Sequence, residues 1–162
     1  MAAAWKLGIP GEATAKGLAT FHGAQRRMEY KGRFNGADVY DDYAHHPDEL
    51  AATIDAVRTM GYQRIILVFQ PHTYTRTHAL FDDFIEQLRR ADICILAEIY
   101  AARERNTVGI SSKDLQALIP GSVYCKDLPQ VTDYLRSIAK PGDIILTVGA
   151  GDIFRAGEAL LK

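Results

Sequence analysis

Four short stretches of the chain are almost continuously apolar, and polar or turn-forming residues bound each of them. Short runs of this kind, rich in β-branched side chains, are typical of strands that are buried on both faces of a parallel sheet. They are residues 64–69 (RIILVF), 93–97 (ICILA), 122–125 (SVYC) and 143–148 (DIILTV). The pattern therefore predicts four core strands.

Between and before these runs, apolar residues recur with the period of an α-helix. Three stripes are visible: Leu50, Ile54 and Val57; Leu80, Phe81, Phe84, Ile85 and Leu88; and Val131, Leu135 and Ile138. Alternation of strands and helices indicates right-handed βαβ units. The predicted fold is α/β, a three-layer, mostly parallel, Rossmann-like sheet with helices on both faces.

The region before Asp41 has a different pattern. An Asn35-Gly36 pair separates two strand-like stretches, which favours an antiparallel hairpin that leads into a first parallel strand at residues 37–43. Further upstream, Gly8, Pro10 and Gly11 interrupt short helical pieces that have no strand to pack on. This first segment, residues 1–20, resembles the tail of a preceding domain.

The composition limits the number of domains and the classes of partner, but it does not indicate a function. The chain has 162 residues, of which 48% are hydrophobic and 24% charged, so one principal globular domain is expected. Nineteen basic and twenty acidic residues give a net charge of -1, which favours neither nucleic acid nor a membrane as a partner. Cys94 and Cys125 lie in apolar runs and are predicted to be buried thiols of a reducing compartment. No apolar segment approaches the ~18 residues of a membrane span and no signal peptide is visible, so we expect a cytoplasmic location.

Three polar loops follow predicted strands: DDYAHHPDE at 41–49, QPHTYTRTH at 70–78 and GAGD at 149–152. Ligands of open α/β sheets bind beyond the carboxyl ends of the strands, so the three loops should be neighbours. No phosphate-binding motif G-x-x-x-x-G-K-[ST] occurs anywhere in the chain. If a nucleoside triphosphate is used, most of its binding contacts lie elsewhere.

In the first loop, Pro47 suits the first turn of a helix, which places His45 and His46 at the strand-to-helix corner. Four interpretations of the two histidines remain open: helix capping, metal binding together with His72, acid–base chemistry near a pKa of ~6.5, and substrate hydrogen bonding. Asp42 at the strand end is suited to ribose hydroxyls or to a cationic group.

In the second loop, Arg76 is surrounded by hydroxyl side chains, those of Thr73, Tyr74, Thr75 and Thr77. A guanidinium can bind a carboxylate or a phosphate through two parallel hydrogen bonds. The alternative is a solvent-facing arginine at a helix start, with Thr77 as the N-cap.

Two further segments are less informative. VGAGD (148–152) lacks the third glycine of a dinucleotide fingerprint and follows the last strand, so close backbone packing is expected there. Residues 103–106 (RERN) form a charged loop that is typical of solvated surface.

Five segments taken in order are more specific than any one of them: FHGAQRRMEYKG (21–32), DDYAHHPDE (41–49), FQPHTYTRT (69–77), EIYAARERNTVGISS (98–112) and LTVGAGDI (146–153). Together they resemble the C-terminal domain of the Mur ligases, from about residue 13 to the end of the chain. The double histidine and Q-P-H-x-Y-T-R-T narrow the resemblance to members that add L-alanine to UDP-N-acetylmuramate. A ligase that recycles murein tripeptide shares the double histidine and is an alternative.

The resemblance implies a three-domain, ATP-dependent enzyme of peptidoglycan precursor synthesis. An N-terminal domain holds the UDP-sugar, a central domain holds ATP and Mg²⁺, and the C-terminal domain brings the amino acid and closes over ATP. By this resemblance residues 21–162 are the C-terminal domain and residues 1–20 are a remnant of the central domain. No metal ligand and no tightly bound cofactor is then expected in this chain, and the isolated domain is expected to be inactive.

The resemblance also assigns roles to individual residues. Tyr43, His45 and Arg76 would form the L-alanine pocket, with Arg76 as the carboxylate clamp, and Asp42 would contact the ATP ribose. His46, His72 and Thr73 would support them. Thr73 is a departure, because some members carry a second arginine at this position.

Two other function classes stay open on the residues alone. One is a stand-alone metallohydrolase that uses Asp41, Asp42, His45, His46 and His72. The other is a nucleotide-binding or interaction module without chemistry.

Overall fold

A computed structural model of the chain describes residues 2–21 and 23–162. Six strands form one sheet: β1 (Glu29–Phe34), β2 (Ala37–Asp42), β3 (Arg64–Phe69), β4 (Ile93–Ala97), β5 (Val123–Cys125) and β6 (Asp143–Val148). Their order across the sheet is β1-β2-β6-β3-β4-β5. Only the β1–β2 pair is antiparallel, and the other four pairs are parallel. The predicted fold class is confirmed.

Eight helices accompany the sheet in the described part of the chain: α1 (Ala2–Lys6), α2 (Gly11–Ala19), α3 (Pro47–Arg58), α4 (Tyr74–Ala79), α5 (Phe81–Leu88), α6 (Ser112–Leu118), α7 (Leu128–Ile138) and α8 (Phe154–Leu160). The apolar faces of α3, α5 and α6 meet one side of the sheet in a cluster that includes Leu50, Phe84 and Leu115. Those of α7 and α8 meet the other side through Val131, Leu135 and Leu160. Every side chain of β6 is buried, as expected of a strand between two helical layers.

The predicted hairpin is present. Asn35 and Gly36 have φ values of 48° and 81°. A two-residue hairpin turn of type I′ requires positive φ at both central residues. A Cβ on Gly36 would lie 2.9 Å from Pro141, so glycine is needed there for space as well as for conformation.

Both cysteines are buried, Cys94 at 5% and Cys125 at 4% exposure, and they are not linked to each other. Burial raises the pKa of the Cys94 thiol to about 12, so it stays protonated at neutral pH. The prediction of two buried thiols is confirmed.

The first two helices differ from the rest because none of their described side chains is buried. Trp5 is 83% exposed and Leu7 is 78% exposed. The predicted domain boundary after residue 20 stays a prediction. In the part of the chain that the structure describes, no helix is both long enough and apolar enough to cross a lipid bilayer.

Candidate functional site

The three polar loops lie side by side at the carboxyl edge of the sheet. Backbone hydrogen bonds join them: Gly149 N–H donates to the Asp42 carbonyl at 3.1 Å, and Gln70 N–H donates to the Val148 carbonyl at 3.0 Å. The sheet order explains this arrangement, since β6 lies between β2 and β3. The prediction that these loops are neighbours is confirmed.

The strand-to-helix corner after β2 has the predicted form. Pro47 begins α3 and His46 is its N-cap, with Nδ1 accepting the Asp48 N–H at 3.4 Å. The His45 backbone N–H donates to Glu49 Oε2 at 2.9 Å, which closes the turn from the other side. His46 is therefore occupied by the helix end, while the imidazole of His45 is turned toward its neighbours.

Aromatic contacts connect His45 with two other predicted site residues. Its ring meets the edge of Tyr43 at a centroid distance of 5.5 Å and lies 6.1 Å from the ring of His72. His72 stacks on Tyr100 at 5.7 Å. The structure thus brings Tyr43, His45 and His72 into one row.

The surroundings of His72 favour the neutral form of its imidazole. Burial lowers its pKa, and the positive charge of Arg76 and the nearby His45 lower it further. Its Nδ1 is buried and has no hydrogen-bond partner among the described residues. A buried polar atom in this state is a position where a ligand atom can supply the missing bond.

Arg76 presents a second atom of the same kind, because its Nη1 is also buried without a partner in the described chain. The residue lies in α4, and the alternative that makes Thr77 the N-cap is wrong. The helix begins at Tyr74 with Thr73 in the cap position, and Thr77 is buried in the helix, its hydroxyl donating to the Thr73 carbonyl at 2.7 Å. Arg76 is half-buried rather than solvent-facing.

Thr73 has an unusual backbone for a β-branched residue, with φ 70° and ψ 145°. Glycine is the residue that normally occupies this region, and strain of this kind gathers at functional sites. Its own N–H donates to the Tyr100 carbonyl at 2.9 Å, which fixes the loop before α4 against the loop after β4.

The two aspartates at the end of β2 are almost fully buried and already hydrogen-bonded. Asp42 accepts the Met28 N–H on Oδ2 and the Ala44 N–H on Oδ1, both at 2.8 Å. Asp41 binds Arg26 Nε at 2.7 Å and the Thr147 hydroxyl at 2.8 Å. These are contacts that hold the strand end in place, and the role of Asp42 toward a ribose stays a prediction.

The GAGD loop is packed as expected. A Cβ added to Gly149 would lie 2.6 Å from the Gln70 carbonyl oxygen, and one added to Gly151 would lie 2.7 Å from the Tyr100 ring. The side chain of Gln70 then joins the loop by donating to Asp152 and accepting from Ile153 N–H.

Sequence reasoning missed two residues of this region. Arg26 binds the end of β2 and the loop after β6, although the sequence analysis included it only within the segment FHGAQRRMEYKG. Glu104, assigned to solvated surface with its neighbours, instead binds the start of α4 through Thr75. The neighbours Arg103, Arg105 and Asn106 are exposed, as predicted.

The geometry speaks against a metallohydrolase site. Among residues 2–21 and 23–162, no three His, Cys, Asp or Glu side chains are grouped so that they could hold one metal ion. Four of the five suggested ligands have other partners: Asp41 and Asp42 as described above, His46 at the helix cap, and His45, whose Nδ1 lies 3.0 Å from the Tyr43 carbonyl.

Comparison with known proteins defines the class. A family model described as "Mur ligase, glutamate ligase domain" matches residues 26–151. The chain belongs to this family.

Individual relatives are more specific. The chain is 47% identical over 166 residues to the UDP-N-acetylmuramate--L-alanine ligase of Lachnospira eligens, covering 100% of this chain and 36% of that protein. It is 48% identical over 161 residues to the protein of the same name from Clostridium tetani, covering 96% and 35%. The chain thus spans about a third of the length of the curated relatives it matches.

Solved structures share the fold. The UDP-N-acetylmuramate-alanine ligase MurC of Thermotoga maritima superposes with a TM-score of 0.75 at 24% identity, over 99% of this chain and 34% of that one. A murein peptide ligase of Psychrobacter arcticus gives a TM-score of 0.67 at 23% identity, over 99% and 34%.

Proposed function

We propose that this chain is the amino-acid-binding domain of an ATP-dependent ligase that joins L-alanine to UDP-N-acetylmuramate. The names of the relatives that are 47% and 48% identical support this substrate pair over the murein tripeptide, whose ligase shares the fold at 23% identity. The proposed place of the reaction is the cytoplasm, where ATP and nucleotide-linked sugar acids are found.

One observation carries the proposal: two buried polar atoms of the segment 70–78, Arg76 Nη1 and His72 Nδ1, have no hydrogen-bond partner among the described residues. Leaving a buried donor unsatisfied costs about 1–3 kcal/mol, and more for a charged group. A ligand with an anionic oxygen removes that cost at Arg76. The carboxylate of an amino acid is the matching group, because a guanidinium binds it through two parallel hydrogen bonds.

The surrounding residues complete a small pocket. Arg76 holds the carboxylate of L-alanine, and the Thr73 hydroxyl assists from the cap position of the same helix. Tyr43 and His45 are assigned to the same pocket, because their rings lie in a row with His72 of this segment. His46 and His72 support these residues, His46 by fixing the start of α3 and His72 by its stack on Tyr100.

The chemistry proceeds in two steps. The terminal phosphoryl group of ATP passes to the muramyl carboxylate, giving an acyl phosphate and ADP. The amine of L-alanine then attacks the acyl carbon, phosphate leaves, the amide bond forms and the nitrogen loses a proton. This chain fixes the amine in position and shields it from water, and positioning of this kind can account for ~7–11 kcal/mol of a barrier.

ATP and Mg²⁺ are assigned mainly to a different domain. The strand-end carboxylates Asp41 and Asp42 are engaged with N–H and O–H groups and do not fit a divalent cation, which prefers free carboxylate oxygens. The sequence also has no phosphate-binding loop. The relatives are about three times as long as the chain, which leaves room for the two domains that hold the UDP-sugar and ATP.

Residues 1–20 fit the end of the central, ATP-binding domain. The family model begins at residue 26, and the described helices in this segment bury no side chain of their own. Trp5 and Leu7 present apolar surface that a preceding domain would cover.

The test joins this chain to the first two domains of the Lachnospira eligens relative and measures UDP-N-acetylmuramoyl-L-alanine formed from ATP. The fusion protein is expected to be active, whereas the isolated chain is expected to release no phosphate from ATP. Arg76→Ala should raise the KM for L-alanine by about 100-fold. Arg89→Ala is the matched control, because this exposed arginine at the end of α5 has the Leu118 carbonyl as its one side-chain partner among the described residues.

Three results would argue against the proposal. Robust ATP hydrolysis by the isolated chain would show that it catalyses a reaction without the other two domains. An inactive but folded fusion protein would favour a binding module. An unchanged KM for L-alanine in Arg76→Ala would show that Arg76 does not bind the carboxylate of this substrate.

A further inference from the structure

Arg26 lies in the 23–28 loop, which crosses the carboxyl end of β2. Its carbonyl accepts the Tyr43 N–H at 2.7 Å, and its own N–H donates to Glu29 Oε2 at 2.7 Å. The backbone of Arg26 is left-handed, with φ 55°. This conformation is uncommon for a residue other than glycine. The side chain extends over the end of the sheet, where its hydrogen-bond partners lie.

The guanidinium binds two separate segments at once. Nε donates to Asp41 Oδ2 at 2.7 Å, at the end of β2. Nη2 donates to the Gly149 carbonyl at 2.6 Å and Nη1 to the Gly151 carbonyl at 3.1 Å, both in the loop after β6. One side chain therefore fixes the distance between two of the three loops that meet at the site.

The same guanidinium also lies over two aromatic rings. Its Cζ is 4.9 Å from the centre of the Tyr43 ring and 4.6 Å from the centre of the Phe154 ring. Tyr43 is 37% exposed, and its hydroxyl makes no hydrogen bond to any described residue. Its ring therefore needs a further restraint besides the edge contact with His45 and a longer contact with Arg27, whose Cζ lies 5.9 Å from the ring centre. Cation–π contact with a hydrogen-bonded, half-buried arginine supplies one.

We propose that Arg26 is a positioning residue for the amino-acid pocket, which holds the Tyr43 ring in place and couples it to the loop after β6. This inference rests on the proposed function, since Tyr43 belongs to the L-alanine pocket. Arg26 acts through Tyr43 and touches no substrate. Loss of its contacts therefore affects L-alanine binding and leaves ATP binding unchanged.

A purely structural role makes a different prediction. If Arg26 only neutralised the buried Asp41, its loss would lower thermal stability and the fraction of active protein, with equal effects on both substrates. A second arginine–aspartate pair of the same strand provides a control: Arg33 binds Asp38 at 2.7 Å near the other end of β2, and its side chain is 63% exposed, against 20% for Arg26.

The experiment measures KM for L-alanine and for ATP in the fusion protein described above. Arg26→Met and Tyr43→Leu are each expected to raise the KM for L-alanine by about tenfold, with the KM for ATP within about twofold. The double variant should be no worse than either single variant, because both remove the same restraint. Arg26→Lys should lie in between, since an ammonium keeps the charge but cannot donate to both carbonyls. Arg33→Met should leave both constants unchanged.

Arg26→Met leaves Asp41 without its cation, so Arg26→Met combined with Asp41→Asn is included as a variant that removes both charges. Equal changes in both KM values, or multiplicative effects in the double variant with Tyr43→Leu, would overturn the proposal.

An independent measurement uses the chain alone and does not depend on catalysis. The proton and carbon resonances of the Tyr43 ring, assigned with Tyr43→Phe, should shift in Arg26→Met and stay in place in Arg33→Met. If the wild-type fusion protein is inactive, the proposed function fails but this shift still decides the role of Arg26. Unchanged Tyr43 resonances in Arg26→Met would overturn the proposal that Arg26 positions the Tyr43 ring.

Discussion

Glu104 caps the helix that carries Arg76 by binding Thr75, which lies 29 residues earlier in the chain. Its Oε1 accepts the Thr75 hydroxyl at 2.6 Å and its Oε2 accepts the Thr75 N–H at 3.0 Å. Thr73, in the N-cap position of α4, makes no side-chain cap of its own. A carboxylate from another loop thus satisfies a free N–H at the positive end of the helix.

Replacing this carboxylate should loosen the start of α4. In Glu104→Gln, one acceptor oxygen remains for two donors, so we expect faster hydrogen exchange at the Thr75 amide and a higher KM for L-alanine in the fusion protein. Exchange read out by NMR measures the first effect directly. Glu86→Gln, on the exposed side of α5, is the control, and equal exchange at Thr75 in wild type and Glu104→Gln would contradict the capping role.

Thr73 should be more stable as glycine. Its φ of 70° is a conformation that costs a β-branched residue of order 1–3 kcal/mol, whereas glycine adopts it freely at an entropic cost of about 0.5–1 kcal/mol. Thr73→Gly is therefore expected to raise the free energy of unfolding by about 1 kcal/mol in urea titrations. Thr73→Ala keeps the Cβ and should give no such gain, so equal stability of the two variants would argue against backbone strain at this position.

Asp42 should contribute to the stability of the fold, because its carboxylate accepts two backbone N–H groups. Asp42→Asn places an NH₂ group against the N–H of either Met28 or Ala44, which leaves a buried donor unsatisfied. The expected loss is about 1–3 kcal/mol of unfolding free energy. Asp133→Asn, whose side chain is 75% exposed on α7, is the control and should change little. A fully stable Asp42→Asn that has lost only ATP binding would instead support a dedicated ribose contact.

The state of His72 predicts a pH dependence of stability. Burial and the charge of Arg76 lower its pKa in the folded state below the ordinary value of 6.5. Below pH 6.5 the unfolded chain therefore binds more protons at this residue than the folded chain, and stability falls as the pH drops. The loss of stability stops growing once the pH is below the pKa of His72 in the folded state.

Thermal unfolding at pH 7.5 and pH 5.5 measures this effect. The decrease in Tm between the two values should be smaller in His72→Gln than in wild type. His78→Gln removes an exposed histidine of α4 and should keep the wild-type decrease. The same decrease in all three proteins would show that His72 does not contribute.

Much of the fold was readable from the pattern of residues. The four apolar runs became β3, β4, β5 and β6, and the Asn35-Gly36 pair became the hairpin turn. Pro47 and His46 also took the predicted places at the start of α3. These features depend on neighbours in the sequence, since burial on both faces, left-handed turns and helix caps each leave a local signature.

The cap of α4 shows where local signals stop. Four of the five residues 73–77 carry a hydroxyl group, and the sequence favoured Thr77 as the N-cap. The helix begins four residues earlier than that choice requires, at Tyr74, because Thr73 N–H donates to the Tyr100 carbonyl and Glu104 binds Thr75. Partners that far apart leave no periodic trace in the sequence.

The sequence by itself determined the α/β architecture, the edge of the sheet where polar loops gather and the family to compare. Only the tertiary structure decided which polar groups are satisfied. It pairs Arg26 with the carbonyls of Gly149 and Gly151, 123 and 125 residues away, and leaves Arg76 Nη1 buried without a partner in the described chain. The physical reason is that apolar burial follows a short period along the chain, whereas the partner of a polar atom depends on which distant loops the sheet order brings together.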